Sequence, residues 1–207
     1  SYVPFSPTSR TSTSSEETTS SSTRTTTTTS DTGSPDAAST DRTPFTAAAL
    51  MPDSFTDDKG VKYNYQAGGV HDCVQQEMSQ NVRDILNRAG CARMVTGDFL
   101  SHDDHVLVSV QVYAFEDTGA ADAVYEKLDA AQSVYFGIWC PTSGTGSSAC
   151  KGDRSRATRS TYIGQHRRYV VSAYAVYVNL TSDPSVKPWL DSAANEAVTS
   201  VGPQNYR

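Results

Sequence analysis

The residues best suited to chemistry in this chain fall in two places. The first is His102-Asp103-Asp104-His105, which sets two imidazoles and two carboxylates side by side. If Asp103 and Asp104 formed a two-residue hairpin turn, His102 and His105 would face each other at about 5.5 Å between Cα atoms, and both rings could reach one divalent metal ion. A metal site needs three or four placed ligands, and Asp-Asp is a poor pair for primed turns, so a solvated polar turn is the competing reading.

The second place is basic. Lys151, Arg154, Arg156, Arg159, Arg167 and Arg168 gather around His166. Such a patch can receive an anionic polymer or a phosphate group, and ordinary surface ion pairing is its rival explanation. Arg154, Arg156, Arg159, His166, Arg167 and Arg168 are therefore the ligand-binding candidates, and His102 and His105 the metal-binding ones.

No motif points to a catalytic nucleophile. Gly144-Thr145-Gly146-Ser147-Ser148 has glycine where a nucleophile elbow needs serine, and neither His-Glu-x-x-His nor a phosphate loop occurs. Tyr113, Tyr125, Tyr135, Tyr162, Tyr169, Tyr174 and Tyr177 are many for a small domain. Amphipathic rings of this kind suit binding clefts as well as sheet faces.

These groups need elements to hold them. Val74, Met78, Val82, Ile85, Leu86 and Ala89 repeat at the spacing of one helix face and predict a helix from about His71 to Ala89, stopped by Gly90. Ala92–Leu100 and the alternating Val106, Val108, Val110 and Val112 predict an antiparallel hairpin. Asp117 or Thr118 should cap a helix with Ala121, Val124, Leu128 and Ala131 inside. A strand is expected at 134–139, then a loop over Pro141–Ala149, then a second hairpin from Arg159–Gly164 and Tyr169–Asn179. Tyr169–Asn179 is apolar on both faces, as a central strand would be. The last helix should start near Pro188, bury Leu190, Ala194, Ala197, Val198 and Val201, and end at Gly202-Pro203. The order α-β-β-α-β-β-β-α predicts an α+β domain, a mostly antiparallel sheet with helices packed on one face.

Cys73, Cys91, Cys140 and Cys150 are even in number and lack zinc-ligand spacing, which favours two disulfides and an oxidising compartment. If a straight helix joined Cys73 to Cys91, their Cα atoms would lie about 27 Å apart, far beyond disulfide reach. Each would then bond to one of Cys140 and Cys150. Should the helix begin well after Cys73 and the chain double back, the local pairing returns.

The chain has 207 residues and a net charge of -6, which speaks against a protein that binds nucleic acid through bulk positive charge. Of its first 40 residues 25 are Ser or Thr, with almost no large apolar side chain between Phe5 and Phe45. Such a segment cannot offset the conformational entropy lost on folding. Residues 1–45 are expected to be a disordered Ser/Thr-rich stalk or linker, and residues 46–207 a single α+β extracytoplasmic domain. The first residue is Ser1 rather than Met, so an upstream signal or anchor is expected to be the only link to a membrane.

Leu50-Met51-Pro52, Cys91 after the first helix, and Val108-x-Val110-x-Val112-x-x-Phe115-x-Asp117 before an Ala-rich helix carry a resemblance. Trp139-Cys140 and Tyr169-Val170-Val171 add to it. With these residues the chain resembles the extracytoplasmic α+β domains of actinobacterial cell-surface proteins and lipoproteins. Within them it is loosely similar to the sensor ectodomain of mycobacterial membrane serine/threonine kinases. The resemblance implies disulfides, a sheet packed by helices, a ligand cleft and no catalysis. The expected function is a non-catalytic, cell-surface or secreted binding or sensor-like domain without a cofactor, whose partner is a small molecule, a cell-wall component or a protein. The alternative is a secreted hydrolase or metal-dependent enzyme with a site near His102, His105 and His166.

Overall fold

Val106, Val108, Val110 and Val112 build the centre of the molecule. In a computed structural model, which describes residues 33–207, they lie on β4 (Val106–Ala114), with β3 (Arg93–Ser101) and β6 (Tyr169–Tyr177) on either side. Flanked by strands and covered on both faces, β4 buries every residue from Val106 to Tyr113, not just the alternate ones. The sheet has six strands in the order β1-β2-β3-β4-β6-β5, all antiparallel, with β1 (Ser54–Thr56), β2 (Lys62–Asp72) and β5 (Arg159–His166) completing it. The α+β class with an antiparallel sheet is therefore found.

Helices cover both faces rather than one. Paired residues Val95, Val112 and Val171 point to one side, where they join Leu50 of α1 (Ala47–Leu50) and Leu190, Ala194 and Ala197 of α4 (Lys187–Ser200) in one apolar cluster. Met94, Tyr113 and Val170 point to the other, against Val82 and Leu86 of α2 (Gln80–Arg88) and Ala121, Val124 and Leu128 of α3 (Thr118–Ala130). The connections have room to cross either way because both faces of β3, β4 and β6 are apolar enough to need a cover.

The first predicted helix is the largest departure. Its first two residues, His71 and Asp72, are the end of β2, residues 73–79 are loop and turn, and the helix proper begins only at Gln80. Cys73 therefore continues the β2–β3 ladder, its N–H donating to the Ala92 carbonyl at 3.0 Å, and lies beside Cys91 across a closed loop. The disulfides are Cys73–Cys91 and Cys140–Cys150, with Cα–Cα separations of 5.8 and 6.1 Å. The crosswise pairing expected from a straight helix is thus corrected to the local one. With all four cysteines paired, the chain belongs in an oxidising compartment.

The tract expected to be a strand at 134–139 does not join the ladder. It runs over the sheet face, where side chains satisfy its backbone: Ser109 Oγ accepts from Trp139 N–H at 2.9 Å, and Gln111 Nε2 donates to the Phe136 carbonyl at 2.9 Å. Residues 33–45, placed with the stalk by composition, pack on the domain. Ala37 bridges Asp117, and the buried Asp41 carboxylate pairs with Arg168 at 2.8 Å and accepts from the Tyr169 hydroxyl. The stalk expected over residues 1–32 lies outside the described residues. No helix among the described residues is long and apolar enough to cross a membrane.

Candidate ligand-binding cleft

On the face of the sheet away from α4, the edge strand β5 is left partly uncovered beside the buried β6. Thr161 and Arg159 of β5 and Tyr174 of β6 share this face, since Thr161 is opposite Tyr174 and Arg159 opposite Val176. Two irregular segments rise beside them. Ser133, Val134 and Tyr135 follow α3, and Gly152, Asp153, Arg154 and Ser155 follow a 3-10 turn at Thr145–Cys150 that the Cys140–Cys150 disulfide closes. Between them lies a cleft of about 670 Å³, within the size range of small-molecule sites. A narrower groove of about 330 Å³, lined by Glu77, Ile138, the second disulfide and Lys151, shares Arg154 with it.

The floor is Tyr174, which is only 5 % exposed and packs its ring edge-on to Tyr135 at 6.0 Å. Its hydroxyl is buried with no hydrogen-bond partner. Burial pushes its pKa up, and the nearby charge of Arg159, which is outside hydrogen-bond geometry, pulls it partly back. Arg159 is anchored by donating to the Arg154 carbonyl at 3.4 Å, and Arg154 by donating to the Ala149 carbonyl at 3.4 Å. Arg154 Nε is also buried and unpartnered. Among the described residues neither guanidinium has a carboxylate within ion-pair distance. Asp153 accepts from the Ser155 N–H at 2.9 Å, and that bond holds its carboxyl below the usual range, so it stays charged at the rim.

The basic patch read from the sequence is thereby divided. Arg154 and Arg159 line the cleft. Arg156 is exposed outside its lining. His166 and Arg167 sit at the far end of β5, in a separate hollow of about 390 Å³ with Pro35, Tyr206 and Arg207. There Arg167 is paired with Asp36 at 3.4 Å, and the His166 ring is 2.5 Å from the Val198 carbonyl. Burial lowers the pKa of His166, and the charge of Arg207 lowers it further against the opposing pull of that carbonyl. Arg168 is structural, locked between Asp41 and the Phe115 carbonyl.

His102 and His105 do not face each other across a two-residue turn. The hairpin closes at Leu100 and Leu107, and Ser101 Oγ organises a wider loop by accepting from the Val106 N–H at 2.9 Å. His105 pairs with Asp103 at 3.2 Å on the surface. No group of three or more potential metal-ligating His, Cys, Asp or Glu side chains exists among the described residues. Antiparallel pairing of Val106 with Tyr177 and Ala114 with Tyr169 puts His105 and His166 at opposite ends of the sheet, so no single site holds them together.

Tyr174 and Tyr135 were countable in the sequence, but nothing there set them apart from other sheet tyrosines. Asp98 had a signal that composition hides: it is a lone carboxylate within a strand buried on both sides. It is 0 % exposed, neither oxygen has a hydrogen-bond partner, and burial pushes it up to about 8 despite a modest opposing effect of the Ala67 amide. Comparison of the chain with protein-family models, with curated proteins and with solved structures gave no match.

Proposed function

We propose that this chain is a non-catalytic, cell-surface or secreted binding domain of the kind its sequence resembles, and that it takes its ligand in the cleft between residues 133–135 and 152–155. The observation that carries this reading is the make-up of the cleft. The sheet floor supplies a buried tyrosine hydroxyl and Arg159, the 152–155 loop adds Arg154, and neither arginine has an ion-pair partner among the described residues, while the lining contains no histidine and its one carboxylate is engaged by the Ser155 amide. Such a set can hold and orient a ligand, but it has no base beside a nucleophile. The oxidising compartment indicated by the disulfides fits a role outside the cytoplasm. A ligand from a cell wall, a free small molecule and a protein loop are all partners this cleft could admit.

The test is a protein-observed NMR screen of the full chain against a mixed fragment library of neutral, acidic and basic compounds. The expected result is that responding amides cluster at 133–135, 152–155, Thr161 and Tyr174. A screen in which hits gather elsewhere, or in which no compound moves these amides, overturns the assignment of the cleft.

A further inference from the structure

Resting on the reading of the cleft as the binding site, we infer that its ligand is a sugar bearing one carboxylate, of the uronic-acid class, whose carboxylate lies between Arg154 and Arg159 above the Tyr174 hydroxyl. The argument begins with what the cleft leaves unmet. Tyr174 Oη and Arg154 Nε are buried donors with no acceptor. A buried polar group without a partner costs free energy that a bound acceptor recovers. Arg159 adds a third donor group, held next to Arg154 by its bond to that residue's carbonyl. Both guanidiniums line the cleft without an ion pair among the described residues, and their planar forks match the two oxygens of a carboxylate.

Charge then selects among anions. Arg154 and Arg159 supply two positive charges, and the ionised Asp153 on the same lining subtracts one. The net charge of the lining is balanced by a monoanion, whereas a phosphate dianion would leave an excess negative charge facing Asp153. The remainder of the cleft indicates the body of the ligand. Ser133, Ser155 and Thr161 line it with hydroxyls that both donate and accept, and Tyr135 and Val134 add an apolar surface. Hydroxyls around an aromatic ring suit a ligand with one hydrophobic face and a polyhydroxylated rim, as a pyranose has. The cleft, at about 670 Å³, has room for one or two such rings.

The experiment is an NMR titration of the full chain with glucuronate, glucose and glucose 6-phosphate, followed by the same titrations of Arg159→Gln and Tyr174→Phe. Glucuronate is expected to shift the cleft amides with at least about tenfold higher affinity than glucose, as a charge-assisted carboxylate contact would provide. Glucose 6-phosphate should bind more weakly than glucuronate. Arg159→Gln should erase the preference for glucuronate over glucose, and Tyr174→Phe should weaken glucuronate several-fold. Arg159 is exposed on an edge strand and Tyr174→Phe removes a hydroxyl without a partner, so both variants should keep the wild-type amide spectrum outside the cleft. Equal binding of glucose and glucuronate, or tighter binding of the phosphate, overturns the monoanion assignment. If none of the three sugars moves the cleft while library fragments do, the inference falls and the binding cleft stands. If nothing moves the cleft, both fall.

Discussion

On the side of the sheet that α1 and α4 cover, β3, β4 and β6 present Val95, Phe99, Val108, Val110, Val112, Val171 and Ala173, with Gly97 among them. One residue along, the same strands turn Thr96, Asp98, Ser109, Gln111, Ser172 and Tyr174 to the other side, and these are just as buried. The first side meets helices, whose backbones satisfy themselves. On the second, α2 and α3 cover Met94, Tyr113 and Val170, and the irregular tract of residues 134–140, whose amides and carbonyls must find partners in the sheet below, covers the stretch beside them. Ser109 and Gln111 provide them. A loop used as a cover thus requires polar residues in the strands beneath it, and a cleft can form where that cover ends. The side under α1 and α4 closes tightly: Gly68 and Gly97 face each other, and a Cβ on Gly68 would meet the Ala47 Cβ at 2.8 Å and one on Gly97 the Met51 Sδ at 2.5 Å, so α1 and its cap sit this close to the sheet only over glycine.

Three substitutions would break or sharpen this contrast. The largest effect is expected on the apolar side. Phe99 is fully buried and packs edge-on against Phe55 and Tyr65 at 5.0 and 5.7 Å, so Phe99→Ala should cost about 3–5 kcal/mol in a denaturant titration. A loss under 1 kcal/mol would mean that this side is not the main core.

Asp98 tests the polar side through pH. A free aspartate ionises near 3.8, whereas this one is raised to about 8 in the folded chain. Between those values the unfolded chain has released the proton that the folded chain keeps, so this group makes stability fall as pH rises from about 4 to 8, then level off. Asp98→Asn should remove that slope and stabilise the protein by a few kcal/mol at pH 8. Parallel stability–pH curves for the two proteins would show that Asp98 ionises without penalty.

The smallest effect belongs to Ser109. Ser109→Ala leaves the Trp139 N–H without its acceptor and should cost about 1–3 kcal/mol, with faster amide exchange at Trp139 as its local signature. Unchanged exchange there would detach the polar residues from the role of supporting the cover.

The sequence carried the elements whose periodicity is internal to one segment. The valines of β4, the Asp117 cap of α3 and the buried stripe from Leu190 to Val201 needed no knowledge of neighbours, and each is present. It did not carry β2, because Lys62–Asp72 has polar residues and two glycines where β-branched ones would mark a strand, and its pairing with β3 is what makes it one. Nor could it show the true length of α2, since Val74 and Met78 keep helical spacing while packing from a loop. At the cleft, Arg154 and Arg159 stood out as charge. Their lack of ion-pair partners among the described residues, and the burial of Tyr174, depend on how β5 pairs with β6 and how the 152–155 loop folds beside them, which no local pattern contains.

Each disulfide joins cysteines that are consecutive along the chain, Cys73 to Cys91 and Cys140 to Cys150. The loops they close are short, 18 and 10 residues in sequence separation, so each bond restricts the unfolded chain less than a long-range crosslink would and acts mainly on its own stretch, the Cys73–Cys91 bond beside the β2–β3 ladder and the Cys140–Cys150 bond at the wall of the narrower groove beside the cleft.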